Sequence, residues 1–254
     1  MPSFVLPWLL LPALCAAEIP LNERLSGYAE MRAETRAMQD DDSANPGMLW
    51  VLEGQSLWSA GPGGDAKPCA ACHGDAATGM RGVAVRYPAF ESAAGRVINL
   101  EQRINLCRVQ QQRQPAFAPE SRELLALSAW VARQSQGLPI EVSGSGRNAA
   151  ALAAGRAEFQ RRRGQLNLSC EQCHDERHGR HLGGSLIPQA HPTGYPIYRL
   201  EWQAVGSLQR RLRACMSGVR SEAYDYGAPE LVNLELFLMW RARGMPLEAP
   251  GVRP

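Results

Sequence analysis

Cys69–Ala70–Ala71–Cys72–His73 and, 101 residues later, Cys170–Glu171–Gln172–Cys173–His174 decide how this sequence is read. In a C-x-x-C-H pentapeptide the two thiols are spaced to form thioethers with the vinyl groups of a haem. The adjacent histidine then stands where it can ligate the iron. A thioredoxin-like dithiol or a zinc site could use the same cysteine pair, but neither asks for a histidine directly after it at both places. The two motifs therefore imply two covalently bound haem c groups, held by Cys69, Cys72, Cys170 and Cys173, with His73 and His174 as proximal ligands.

The likeness extends outward from the motifs. Gly54 lies fifteen residues before Cys69, and Gly155 fifteen before Cys170. Each glycine sits in a short amphipathic stretch, Glu53–Trp58 and Ala154–Phe159, that reads as a helix carrying one aromatic toward the core. Downstream, Tyr87–Pro88 answers Tyr195–Pro196, and twenty residues beyond each tyrosine comes a cysteine, Cys107 and Cys215. Arg103 and Arg211 each precede that cysteine by four residues. An apolar helix then closes each half, ending at Gly137–Leu138–Pro139 and Gly244–Met245–Pro246. This pattern predicts a mainly α chain of two tandem cytochrome c-like domains related by internal duplication, 46–142 and 147–248, each with one haem. Val142–Gly146 reads as a polar linker between them, and residues 18–45 as a helical or loose arm. The acidic run Asp40–Asp42 in that arm reads as a solvated turn. One difference between the halves stands out. His73 to Tyr87 spans fourteen residues and His174 to Tyr195 twenty-one, so seven extra residues near His178–Gly184 lie beside the second motif only.

Composition fits an exported globular chain. Net charge is +2, which gives no field of the kind that recruits nucleic acid. Only Lys67 among the 27 basic residues is a lysine; genome composition explains this, although guanidinium groups also hold dianions and haem propionates where an ammonium does so less well. Residues 1–17 are uncharged and apolar and end in Leu14–Cys15–Ala16–Ala17. They are too short to span a membrane and read as a signal peptide cleaved near Ala17. The expected compartment is the periplasm, with no membrane span in the mature chain.

Six cysteines remain after cleavage, and Cys107 and Cys215 are outside the attachment motifs. Met80 follows His73 too closely to reach the far face of a haem, and no methionine follows it in the first half. The residue type shared by both halves at distal range is cysteine, so the axial pairs are expected to be His73/Cys107 and His174/Cys215. A Cys107–Cys215 disulfide and two buried free thiols are the other readings of the same residues. Around Cys215 the stretch Arg210–Arg211–Leu212–Arg213–Ala214–Cys215–Met216–Ser217–Gly218–Val219–Arg220 sets a sulfur among guanidinium groups, which favours its thiolate. Each arginine could equally serve a propionate or a solvated helix face. His178, His181 and His191 read as loop histidines on the surface. These residues allow a sulfur-transfer enzyme with Cys215 as nucleophile, a dihaem electron carrier without chemistry of its own, or a dihaem peroxidase, which would require one haem to be five-coordinate or to open on reduction.

The paired motifs, the cysteine downstream of each, and Arg211–Leu212–Arg213–Ala214–Cys215–Met216–Ser217–Gly218–Val219–Arg220 resemble the SoxA family. Its members are the dihaem catalytic subunits of the SoxAX cytochromes of bacterial thiosulfate oxidation. The resemblance implies an L-cysteine S-thiosulfotransferase that joins thiosulfate to a cysteine of a SoxYZ-type carrier and passes two electrons to haem. It further implies that Cys215 is a haem ligand found as a persulfide, that Arg211 contacts substrate with Arg220 as a further candidate, and that Cys107 ligates the first haem. The implied partner is a SoxX-like monohaem cytochrome c, forming a heterodimer.

Overall fold

A computed structural model describes residues 18–63 and 66–254; the expected signal peptide, residues 1–17, lies outside the described residues. The N-terminal segment carries α1 (Ala33–Asp40). The first half then runs α2 (Met48–Ala60), α3 (Cys69–His73), α4 (Ala76–Gly79), β1 (Ala89–Glu91), β2 (Arg96–Ile98), α5 (Leu100–Gln110) and α6 (Arg122–Arg133). The second half runs α7 (Ala149–Gln160), α8 (Cys170–His174), β3 (His181–Leu182), β4 (Ser185–Leu186), β5 (Ile197–Arg199), β6 (Ala204–Gly206), α9 (Leu208–Gly218) and α10 (Pro229–Arg241). The chain closes with β7 (Gly251–Arg253). The order is the same in both halves except that α4 has no counterpart in the second and the β3–β4 hairpin none in the first; the hairpin is where the seven extra residues go.

Each half is built on one crossed helix pair. α6 buries Leu124–Ala129, Val131 and Ala132, and α10 buries Leu231, Val232 and Leu234–Met239, so both are enclosed on nearly every side. Their partners are α2 and α7, and the two glycines of the repeat set the crossing. A Cβ on Gly54 would lie 2.1 Å from the Ala126 carbonyl oxygen, and one on Gly155 would lie 1.9 Å from that of Asn233. Only glycine lets these backbones approach so closely. Trp58 and Phe159, the aromatics expected to face inward, are both buried.

The halves join about a pseudo-twofold axis. Gly137 N–H donates to Leu247 O at 2.8 Å, and Gly244 N–H donates to Ile140 O at 2.9 Å. Ile140 N–H donates to Met245 O at 2.9 Å, as Leu247 N–H does to Leu138 O. The two G-x-P stops therefore pair with one another as an antiparallel ladder with isolated bridge pairing at Pro139–Pro246. Around this ladder Val85, Val97, Ala132 and Ile140 of the first half pack with Val232, Leu236, Met239 and Leu247 of the second. The expected polar linker is part of this seam. Val142 is buried and Gly144 packs against Trp240, because the chain must cross an apolar interface to start the second half.

The N-terminal arm is fastened to the second half by backbone hydrogen bonds. Leu25 N–H donates to Gln189 Oε1 at 2.7 Å, and Gln189 Nε2 donates to Glu23 O at 3.2 Å. From α1, Gln39 Oε1 accepts from Val252 N–H of β7 at 2.9 Å, and Asn45 Nδ2 donates to Pro250 O at 3.0 Å. The Asp40–Asp42 run is exposed; Asp41 caps the turn by accepting from Ser43, and Asp42 pairs with Arg133 at 2.7 Å. Among the described residues no helix is long and apolar enough to cross a membrane.

Candidate active site

The first attachment motif forms α3, a helix of little more than one turn, with its end fixed by Trp58, whose Nε1 donates to Gly74 O at 3.2 Å. The Trp58 and His73 rings lie 5.7 Å apart. Beside them opens a cavity of about 1000 Å³, lined among others by Cys69, Cys72, His73, Tyr87, Arg103 and Cys107. Its size matches pockets that hold cofactors, and its lining includes the Cys69 and Cys72 thiols and the His73 imidazole, the groups covalent haem attachment needs. Burial pushes the Cys69 thiol pKa up, and the nearness of Cys107 adds to it. Cys107 thus sits with the first motif.

The second motif forms α8, opened by a reciprocal cap in which Ser169 and Gln172 satisfy each other's backbone N–H groups. His174 Nδ1 donates to Pro188 O at 2.7 Å, because a carbonyl can only accept. Nε2 is left with its lone pair, the form a metal ligand takes. Burial lowers the His174 pKa against the hydrogen bond to Pro188, and the charges of Arg211 and Arg241 act in the same direction as burial. Arg241 is itself paired with Asp175, Nη1 to Oδ2 at 3.0 Å. Burial raises the Cys170 pKa to about 11, with the proximity of Cys215 and Cys173 contributing. Cys215 therefore belongs to the second motif as Cys107 belongs to the first. Both are free thiols at separate sites, so the disulfide reading fails.

Cys215 lies on α9, whose start is capped by Ser207, Oγ accepting from Arg210 N–H at 3.1 Å. Arg211 is one turn earlier on the same face, as an i,i+4 pair must be. Burial works against the Arg211 charge, but Cys215, Tyr195 and Glu201 outweigh it and hold its pKa above the ordinary arginine value. Tyr195, also in this group, has its pKa pushed up to about 12 by burial. The other arginines of the stretch turn away. Arg210 stacks over Trp202 at 4.2 Å and Arg213 over Tyr226 at 4.5 Å, while Arg220 is exposed past the end of α9 in a left-handed conformation. One guanidinium of the basic cluster, not four, faces the sulfur.

The first half arranges the matching arginine differently. Arg103 Nη1 lies 3.4 Å from Glu91 Oε2, an ion pair at the end of β1. The remaining methionines of the second half are core residues: Met216 packs with Phe159 and Leu212, and Met239 and Met245 lie in the seam. His178 and His181 are exposed, as expected. His191 is not: it is buried, its Nδ1 donates to Leu25 O at 2.9 Å, and burial lowers its pKa to about 4. The docked arm covers it, which no local pattern in the sequence announces. Among the described residues no group of three or more His, Cys, Asp or Glu side chains could hold a metal ion.

Comparison with known proteins bears on this geometry. The family model described as SoxA/TsdA, cytochrome c domain, matches twice, at residues 53–140 and 154–247. A protein of Pseudaminobacter salicylatoxidans named L-cysteine S-thiosulfotransferase subunit SoxA is 35% identical over 92% of this chain and 82% of its own length. A protein of Rhodovulum sulfidophilum with the same name is 33% identical over 91% of this chain and 81% of its own length. The chain belongs to the SoxA family. A crystal structure of SoxXA from P. pantotrophus superimposes with a TM-score of 0.87 at 27% identity, covering 91% of this chain and 87% of that one. As a SoxA chain with two cytochrome c domains it carries two covalent c-type haems, and the thiol-lined cavity at the first motif is of a size and chemistry to take one.

Sequence reasoning on this SoxA chain missed Arg199 and Glu91. Both lie four residues after the Tyr–Pro step of their half, and the change from Glu to Arg at that position was visible in an alignment of the halves.

Proposed function

We propose that this chain is the dihaem subunit of a periplasmic L-cysteine S-thiosulfotransferase, in which thiosulfate is oxidatively joined to the cysteine of a SoxYZ-type carrier. The names of its relatives favour that activity over electron carriage alone. Cys69 and Cys72 would hold one haem, with His73 and Cys107 as candidate ligands to its iron; Cys170 and Cys173 would hold the other, with His174 and Cys215. When bound, these groups supply the acceptor for two electrons, which leave through a SoxX-like monohaem cytochrome c in a heterodimer.

The observation that carries the reading is the Arg211–Cys215 pair beside the second motif. Joining a carrier thiol to thiosulfate forms one S–S bond and releases one proton and two electrons. The chain's part is to hold a dianion against a sulfur. A buried guanidinium binds sulfur oxyanions through charge-assisted hydrogen bonds, stronger here than in water. Cys215, as a persulfide, presents a sulfur to which the sulfane sulfur of thiosulfate can be joined as the two electrons of that S–S bond are lost; the carrier thiolate then attacks that sulfane sulfur and the Cys215 persulfide leaves. Arg220 remains a candidate for contacting the carrier or the substrate from the exposed end of α9.

Replacing Cys215 by Ala tests the reading. Thiosulfate-dependent conjugation is expected to fall by at least about a hundredfold, the scale for loss of a nucleophile, with covalent haem content still at two per chain. Turnover at the wild-type rate in a haem-loaded Cys215→Ala protein would falsify it.

A further inference from the structure

The two halves carry opposite charges at one equivalent position. In the first, β1 ends on Glu91, which faces Arg96 across the hairpin and pairs with Arg103 of α5 at 3.4 Å. In the second, β5 ends on Arg199, which faces Ala204, and α9 carries Arg211 where α5 carries Arg103. The hairpin leads directly into the cysteine-bearing helix in both cases. An ion pair in one copy has become two guanidinium groups in the other. The arginine across the hairpin has become alanine as well; on the other side β7 sets Arg253 opposite Arg199, but that charge is taken up by Glu248 at 2.6 Å.

Arg199 is poorly compensated where it sits. Its side chain is 15% exposed, and its one ion pair is to Glu201, Nε to Oε1 at 3.0 Å, a side chain 51% exposed. That contact is misaligned, so the buried Nε has no hydrogen-bond partner of good geometry. Trp202 lies under the guanidinium at 5.3 Å. Burial lowers the Arg199 pKa, and Arg211 lowers it further, which places the two cations within each other's field. Glu201 opposes this at both arginines, but from a side chain half exposed to water, which screens its offset; two buried like charges held together lose stability unless a further anion joins them.

We propose that Arg199 is a second substrate-binding residue of the Cys215 site, closing with Arg211 on a doubly charged sulfur oxyanion. The inference rests on the reading of Cys215 and Arg211 given above and adds to it the source of dianion selectivity. One guanidinium balances a single negative charge; the pair balances thiosulfate and discriminates against monoanions. The first half, whose matching arginine is already neutralised by Glu91, is correspondingly unable to bind one.

The test uses the haem-loaded chain in complex with its monohaem partner, assayed for conjugation of thiosulfate to a carrier thiol. Arg199→Gln is expected to raise the KM for thiosulfate about tenfold or more and to leave kcat within about threefold, the loss of one charged hydrogen-bonding partner. Arg199→Glu, which restores the charge found in the first half, raises KM further, and Arg199→Lys recovers part of the loss. An unchanged KM in the Gln and Glu variants overturns the proposal. So does a shifted haem midpoint potential at unchanged KM, which assigns Arg199 to a haem propionate. If Arg199→Gln fails to load haem, the Lys variant decides: a KM equal to wild type overturns the proposal, and a raised one supports it. Arg211→Gln separates the two levels. If it too leaves turnover untouched, the active-site reading itself fails; if it cripples turnover while Arg199→Gln does not, only the present inference does.

Discussion

Arg211 matters for where its charge ends up rather than for belonging to a basic stretch. The stretch offers four arginines within eleven residues, yet Arg210 and Arg213 lie on aromatic rings and Arg220 points past the helix end. Helical spacing decides this, since only the i,i+4 position shares the face of Cys215. A lysine at 211 would keep the charge but lose the planar fork that can hold two oxyanion oxygens together. Arg211→Lys is therefore expected to lower kcat/KM for thiosulfate by about 10- to 100-fold, on the order of 1.5–3 kcal/mol. Haem content should be unaffected. Steady-state kinetics of the loaded heterodimer give the answer, and a value within twofold of wild type would show that charge alone suffices. The sulfur itself was legible in the sequence, because its spacing from Arg211 is repeated by Cys107 and Arg103. The company it keeps was not. Tyr195 comes beside Arg211 and Cys215 only because the β5–β6 hairpin folds back into α9, which local periodicity does not encode.

At the level of elements the duplication was readable because helices leave regular traces: a glycine fifteen residues before each motif, an apolar run, a G-x-P stop. What those glycines do is visible only in the crossing of α2 on α6 and of α7 on α10. Adding a methyl group at Gly155 forces it against the Asn233 carbonyl, where backbone must move. Gly155→Ala is expected to destabilise the chain by about 1–3 kcal/mol or more, the range for overpacked cores. Gly184→Ala in the β3–β4 connection, with no atom within 4 Å of the new carbon, should stay within about 0.5 kcal/mol. Thermal or denaturant unfolding of the two variants side by side measures the difference; equal stabilities would mean the helix pair can slide apart without cost. The seam between the halves explains why residues 142–146 misled. Serine and glycine read as linker composition, but Val142 and Gly144 are held by the seam, and composition carries no information on which surface a segment crosses.

For the molecule as a whole, the seam between halves encloses carboxylates far apart in sequence. Glu101 of α5, Glu120 of the following loop and Glu235 of α10 meet near a cavity of about 170 Å³ that Glu101 and Glu120 help to line. Asn99 Nδ2 donates to both oxygens of Glu235, at 3.2 and 3.3 Å. Burial raises the Glu101 pKa to about 7, with the Glu120 charge contributing, and burial together with Glu101 raises that of Glu235 well above its ordinary value. The folded chain thus keeps protons here that the unfolded chain, titrating near 4.5, gives up. Where the native state binds more protons, stability falls as pH rises. The contribution is fully present below about pH 4.5 and is lost as pH climbs through about 7. Glu101→Gln, neutral at every pH, should then melt higher than the parent chain at pH 8 and lose that advantage by pH 4.5. Haem-loaded protein followed by circular dichroism across this range provides the measurement. A melting difference that does not change with pH would mean that Glu101 is already ionised in the seam, and that the two halves meet around a charge rather than a proton.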